Sequence, residues 1–293
     1  MKAYFDNAST TPLLAEVKLA MKEVIDNNYG NPSSIHSLGR SSKILIEDAR
    51  SDMAQGIRAS TGEIFFTSGA TEANNMALLC SVRDLGVKTI ISSPTEHHCI
   101  LHTLDYISNH GLANVRYLKV NEEGHIDYEE LTETIRSSAG NVLVSLMHVN
   151  NEIGSIHDID RIAAICQEEK ALFHTDTAQT IGKLKIDVQK TKIAFLSGSA
   201  HKFFGPKGSG FIYINNDNMI QPLLYGGDQE RGLRSGTENL FGIVGMHKAF
   251  VIAMDEMEER LEKTLKIKTY CQEKLRSNFS NIKINGSKSA ALY

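Results

Sequence analysis

The feature that most constrains this chain is a repeated change of hydrophobic period between Glu63 and Ile214. Short apolar runs rich in β-branched residues read as strands at 63–67, 88–93, 141–147, 171–175, 193–196 and 210–214. Between them, helical period opens at Ala73 and again at 159–169. Upstream, Tyr4 to Pro12 reads as a short strand, with Thr10 or Thr11 capping a helix near Leu13 and Pro12 in its first turn. A long helix is expected from His36 to Arg58. Downstream, helical period runs from Leu240 to Asn278 with one or more breaks, and Thr237 reads as its N-cap. The charge-rich part, 255–274, reads as a solvated face. Strand–helix–strand alternation predicts an α/β fold, a mostly parallel sheet with helices on both faces. Ligands of such sheets lie beyond the carboxyl ends of the strands.

Several chemically capable residues fall at those ends. The run Ser197-Gly198-Ser199-Ala200-His201-Lys202 delivers a lysine past a buried strand, and a Gly/Pro turn follows. A desolvated lysine is a poor cation and a good nucleophile, suited to Schiff-base formation with a carbonyl. Pyridoxal phosphate (PLP) needs such a lysine, an acid for its pyridine nitrogen and an anion site for its phosphate. Ser68-Gly69-Ala70-Thr71-Glu72 opens a helix after a strand and leaves N–H groups for an anion. His97 ends another strand and can stack on a flat cofactor and move protons. Asn151 can hydrogen-bond a ring oxygen. Asp176 follows a buried strand, where a carboxylate is costly without a partner such as a protonated pyridine nitrogen. Gln179 lies three residues on. Each position also has a plainer reading: N-cap, turn or surface side chain. Their coincidence at strand ends favours a shared site.

Composition narrows the remaining classes. Apolar residues make up 41% and charged residues 23%, with a net charge of −4. Nothing in that balance points to nucleic acid or a membrane surface. No uncharged run is long enough to span a bilayer, and Met1 to Asp6 lacks a signal peptide's apolar core. The four cysteines are scattered without a CxxC pair, so neither a metal site nor a disulfide framework is expected. A reducing, cytoplasmic setting fits best. No GxxxxGK[ST] occurs, which disfavours a phosphate-binding NTPase.

The motifs together resemble the NifS/IscS-type cysteine desulfurases of the class V aminotransferase family, PLP enzymes of fold type I. The resemblance runs in order through Tyr4-Phe5-Asp6-Asn7-Ala8-Ser9-Thr10-Thr11-Pro12, Gly30-Asn31-Pro32-Ser33-Ser34, Thr67-Ser68-Gly69-Ala70-Thr71-Glu72 and Thr95-Glu96-His97. It continues through His148-Val149-Asn150-Asn151-Glu152-Ile153-Gly154, Asp176-Thr177-Ala178-Gln179, Ser199-Ala200-His201-Lys202 and Arg234-Ser235-Gly236-Thr237. It implies that Lys202 carries the Schiff base and shuttles protons, and that Asp176 holds the pyridine nitrogen protonated. Gln179 and Asn151 would contact the ring's phenolic oxygen, and His97 would stack on the ring as an acid–base group. Thr71, with Ala70 beside it, Ser199 and His201 would hold the phosphate. Thr237 would reach the phosphate of a neighbouring subunit, which implies a homodimer. The implied reaction converts L-cysteine to L-alanine and leaves a persulfide on an enzyme cysteine, for an iron–sulfur scaffold or a thiolation enzyme.

The family's nucleophilic cysteine and substrate-clamping arginine lie in a smaller C-terminal domain. This chain is expected to hold an N-terminal segment at 1–15, a PLP-binding large domain at 16–250, and a long helix with the start of a truncated small domain at 251–293. None of Cys80, Cys99, Cys166 and Cys271 matches the nucleophile; Cys99, near His97, is the only one placed to reach the site. The expectation is a chain that holds PLP through Lys202 but does not desulfurate cysteine efficiently alone. The alternatives are a non-catalytic, PLP-binding or partner-recruiting homologue, and a related lyase such as one acting on selenocysteine.

Overall fold

The computed structural model describes residues 3–286. Among the described residues seven strands form one sheet: β1 (Ile64–Thr67), β2 (Val87–Ser92), β3 (Asn114–Tyr117), β4 (Asn141–Ser145), β5 (Leu172–Asp176), β6 (Phe195–Ser199) and β7 (Gly210–Ile214). Their spatial order is β1-β7-β6-β5-β4-β2-β3. Every neighbouring pair is parallel except the two made by β7, which runs antiparallel to β1 and β6. The mostly parallel sheet expected from the sequence is therefore present. The carboxyl ends of the other strands share one edge, and the start of β7, at Gly210, joins them there.

Among the described residues eight α-helices connect or flank the strands: α1 (Ala15–Asn27), α2 (Ser37–Gly56), α3 (Ala70–Asp84), α4 (His98–Asn109), α5 (Tyr128–Arg136), α6 (Ile159–Glu168), α7 (Leu240–Asp255) and α8 (Met257–Asn278). The sheet separates two apolar clusters. Ile46, Met53, Ile162, Met246 and Phe250, from α2, α6 and α7, pack on one face. Met76, Leu78, Ile100 and Leu104, from α3 and α4, pack on the other. Successive strand residues alternate between them: Ile64 and Phe66 join the first cluster and Phe65 the second, as do Leu196 and Phe195. Both faces being covered explains why the strands read as continuous apolar runs. Truncating Phe195, wholly buried, to alanine would cost about 3–5 kcal/mol.

Three local expectations need correction. Residues 3–14 contain no strand; a turn covers Asn7 to Ser9. The N-cap of α1 is Leu14, without a side-chain cap. Thr10 and Thr11 are engaged elsewhere: the Thr11 hydroxyl donates to the His201 carbonyl at 2.9 Å and accepts the Phe204 N–H at 2.7 Å. Long-range partners outcompete the local cap. Nor does Thr237 cap α7; Asn239 does, its Oδ1 accepting the Gly242 N–H at 3.2 Å. The helical break expected after Leu240 falls at Glu256, between α7 and α8. Along α8 only Met257 is buried, so its charged faces are solvated.

Candidate active site

β6 ends at Ser199, and a single 3-10 turn, Ala200–Lys202, carries the chain off the sheet edge. Lys202 is thereby held at a strand end, half-buried, with Nζ donating to the Ala8 carbonyl at 2.5 Å. Burial lowers its pKa from the ordinary lysine value; the charges of Asp176, Asp6 and Glu152 pull the other way. The net effect moves the amine towards its nucleophilic, neutral form.

Asp176 is the last residue of β5 and only 6% exposed. Its Oδ1 accepts the Ala178 N–H at 2.9 Å, and its Oδ2 accepts from Asn74 Nδ2 at 2.7 Å. Donors on both oxygens repay part of the desolvation cost of a buried carboxylate.

His97 is the N-cap of α4, its Nδ1 accepting the Cys99 N–H at 3.1 Å. Burial lowers its pKa, with Asp176 opposing and Lys202 adding to the effect. The cap settles the tautomer: an N–H can only donate, so Nδ1 carries the lone pair and Nε2 the proton of the neutral ring.

The anion-binding end is built on α3. Its N-cap, Gly69, has no side-chain cap, and among the described residues no hydrogen bond engages the N–H groups of Ala70 and Thr71. Such orphan donors at a helix start suit an anion. Glu72 is turned away from this role. Its Oε2 accepts the Ser68 N–H at 2.8 Å, and its Oε1 accepts from Arg234 Nε at 2.8 Å. Gly210 lets β7 approach: a Cβ there would lie 2.5 Å from Gly69 Cα and 2.5 Å from the Gly198 carbonyl. His201 Nδ1 lies 3.1 Å from Thr10 Oγ1. Burial, with the charges of Lys202 and Lys207, pulls His201 down to about 4. It is neutral at pH 7 and would serve an anion by hydrogen bonding.

Asn151 Nδ2 donates to Glu152 Oε1 at 2.9 Å. Gln179 is held at both ends, with Nε2 donating to the Ala8 carbonyl at 2.8 Å and Oε1 accepting from Lys183 Nζ at 3.1 Å. Burial, then the charge of Lys202, lowers Lys183 to about 7.

All of the site residues expected from the sequence except Thr237 line one cavity of about 730 Å³. Thr237 is exposed and outside it. Sequence reasoning missed the wall made by Asp6, Ala8, Ser9 and Thr10, because a backbone carbonyl acting as acceptor leaves no trace in residue type. It also missed Asn74, which points from α3 under Asp176. Cys99, given only a small place in the sequence reading, lines the cavity. Burial and the Asp176 charge push its thiol up to about 12, against hydrogen bonds from Asn74 and Thr71. It is a thiol and not a thiolate, hence a weak nucleophile.

The donor set fits PLP. The cavity is in the usual size range of about 300–1,000 Å³ for small-molecule sites. It combines a lysine of lowered pKa, a buried carboxylate and an uncapped helix start.

Comparison with known proteins agrees. Residues 3–292 match the family model described as aminotransferase class-V. Over 293 residues the chain is 41% identical to the cysteine desulfurase IscS of Dictyoglomus turgidum, covering 99% of this chain and 74% of that protein. A solved NifS-like protein superposes with a TM-score of 0.91 at 38% identity, covering 94% of this chain and 76% of the other. SspA, solved in complex with cysteine, superposes with a TM-score of 0.80 at 36% identity, over 87% of this chain and 72% of that one. With a class-V match along nearly its whole length and desulfurase relatives at this identity, the chain belongs to the PLP-dependent cysteine desulfurases of the class V aminotransferase family.

Proposed function

We propose that this chain binds PLP through Lys202 and acts on L-cysteine. The observation that carries this reading is the convergence of Lys202, Asp176 and His97 on one cavity from the ends of three different strands. When bound, PLP supplies an electrophilic carbon and an electron sink for the substrate's bonds. Lys202 would attach the cofactor and afterwards move protons at Nζ. Asp176 would accept a hydrogen bond from the ring nitrogen. His97 would lie over the ring and exchange a proton at Nε2. Ala70, Thr71, Ser199 and His201 hold the phosphate with neutral donors and the start of α3. Asn151 and Gln179 orient the ring oxygen. The solved SspA–cysteine complex supports L-cysteine as the substrate.

The exposure of Thr237 outside its own cavity supports a homodimer in which it serves the partner's phosphate site. The four cysteines are free thiols, which supports a cytoplasmic setting. Among the described residues no helix is long and apolar enough to cross a membrane.

The sulfur step is where this chain is weakest. Cys80 and Cys166 are buried, their thiols pushed up to about 11 and about 12 by desolvation. Cys99 is in the cavity but protonated. Cys271 lies on exposed α8, outside the cavity. None of the four combines reach with a thiolate, which supports a sulfur acceptor thiol other than these. This supports slow turnover alone.

The test is the absorbance spectrum of the purified chain with PLP, beside Lys202→Ala, followed by alanine release from L-cysteine with and without added dithiothreitol. A visible band absent from the variant, with alanine release raised by the external thiol, is expected. No band in the wild-type chain sinks the PLP reading. Rapid alanine release without an external thiol sinks the acceptor argument.

A further inference from the structure

Beneath the cavity runs a buried set of hydrogen bonds that the reading above leaves unused. Ser145, His174 and Asn74 are fully buried. Ser145 Oγ lies 2.9 Å from His174 Nδ1, and His174 Nε2 lies 3.1 Å from Asn74 Oδ1. The Asn74 amide nitrogen reaches two groups, Asp176 Oδ2 at 2.7 Å and Cys99 Sγ at 3.2 Å. Cys99 Sγ lies 3.0 Å from His97 Nδ1. The set thus runs from the sheet interior to both functional groups at the cavity.

Donor and acceptor roles leave one consistent polarity. The carboxylate of Asp176 requires a donor, so Asn74 presents Nδ2 to it and Oδ1 to His174. The reverse orientation would set carbonyl against carboxylate oxygen. Asn74 Oδ1 then requires a donor, so His174 is protonated at Nε2 and accepts the Ser145 hydroxyl at Nδ1. At the other end, His97 Nδ1 already accepts the Cys99 N–H. It can therefore only accept from the thiol as well, so the S–H donates to His97 and the sulfur accepts from Asn74.

We propose that Asn74 and Cys99 are positioning residues that form a bridge between Asp176 and His97, buried at Asn74 and open to the cavity at Cys99, its polarity set from below by His174 and Ser145. The bridge couples the acid–base group on one side of the ring to the carboxylate at the ring nitrogen. The ring's own position rests on the reading given above; the bridge itself is made wholly of the chain's own groups. Asn74 does not touch His97, so its influence on that imidazole passes either through the Cys99 sulfur or through the charge of Asp176, and only the first route needs Cys99.

The experiment is a double-mutant cycle on the ligand-free chain, with histidine ¹⁵N resonances followed through a pH titration of wild type, Asn74→Ala, Cys99→Ala and the double variant. The groups that act on His97 besides the bridge are Asp176, Lys202, His98 and Glu152; none is substituted, and an effect of Asn74→Ala carried by Asp176 alone would persist without Cys99. The wild type should show His174 protonated at Nε2 and not titrating between about pH 5 and 8. Cys99→Ala removes an acceptor-side bond that favours neutral His97, and should raise its midpoint by up to about one pH unit. Asn74→Ala should also move the His97 midpoint, but not in the Cys99→Ala background. Cys99→Ser, which keeps a donor, should stay near wild type and serves if Asn74→Ala does not fold. His174 protonated at Nδ1 overturns the proposal. So does an Asn74 effect on His97 of equal size with and without Cys99, or no effect of Cys99→Ala. PLP binding is read separately from the visible band, so a chain that binds no PLP but shows the coupling sinks only the cofactor reading.

Discussion

Arg50 and Glu230, 180 residues apart, meet as a two-pronged ion pair with 0% and 2% side-chain exposure. The oxygens of Glu230 lie 2.7 and 2.9 Å from the two terminal nitrogens of Arg50. The pair also reaches β1: Arg50 donates to the Ile64 carbonyl at 2.7 Å, and Glu230 accepts the Phe66 N–H at 2.8 Å. Glu230 adopts positive φ, 46°, to do so. The loop after β7, which carries Arg234 and Thr237, is pinned to the sheet edge by this contact. Glu230→Ala takes away the buried guanidinium's two-pronged partner and leaves it only the longer Glu47 contacts, at 3.3 and 3.4 Å, as a carboxylate pair, and should cost about 3 kcal/mol in denaturant unfolding. Replacing both partners by apolar residues should recover much of that loss. An unchanged unfolding midpoint in Glu230→Ala would remove the pair from the stability argument.

Gly210→Ala tests the close approach of β7 to the start of α3. The added Cβ would meet backbone, not a flexible side chain, at 2.5 Å. The expected cost is about 1–3 kcal/mol. Displacing Gly69 also shifts the orphan donors beside it, so PLP should bind about tenfold more weakly or worse. Calorimetric titration with PLP checks this; wild-type affinity in the variant would mean that the phosphate is held elsewhere.

Acid should unfold this chain early. Burial pulls His174 down to about 3 and His148 to about 4. Below about pH 6.5 the unfolded chain binds protons at these residues that the folded chain does not, so stability falls as pH falls. Each contributes up to about 1.4 kcal/mol per pH unit below that point. Urea unfolding at pH 7, 6 and 5 should show a steady loss, shallower in His148→Gln. A flat profile over that range would contradict the burial of both imidazoles.

Thiol labelling should separate the four cysteines. Cys271 is exposed and should react first with iodoacetamide at pH 7. Cys80 and Cys166, buried, should react only on unfolding, and Cys99, which lines the cavity but is held as a thiol, should react slowly. Prompt modification of Cys99 would show that it has thiolate character after all, and would return it as a candidate sulfur acceptor.

Much of the site was legible in the sequence because parallel α/β sheets bring strand ends to one edge. Lys202, Asp176, His97, Asn151 and Thr71 could be placed there from the period of the flanking residues alone. Errors fell where a side chain had a local and a distant partner to choose between. Thr10 and Thr11 read as helix caps, and instead Thr11 bonds His201 and Phe204. Thr237 read as a cap, and Asn239 takes that role two residues later.

The sequence by itself determined six of the sheet's strands in order, the two-sided sheet and the lysine at the end of β6, since these follow from hydrophobic period and local turn chemistry; β3, a short and largely exposed edge strand, and helices α4 and α5 were not marked. Tertiary structure alone decided the reversed direction of β7, the Ala8 carbonyl shared by Lys202 and Gln179, and the meeting of Asn74, Cys99 and Asp176. Those contacts join residues distant in the chain, and their partners are selected by packing and hydrogen-bond satisfaction in the folded interior, which no local pattern encodes.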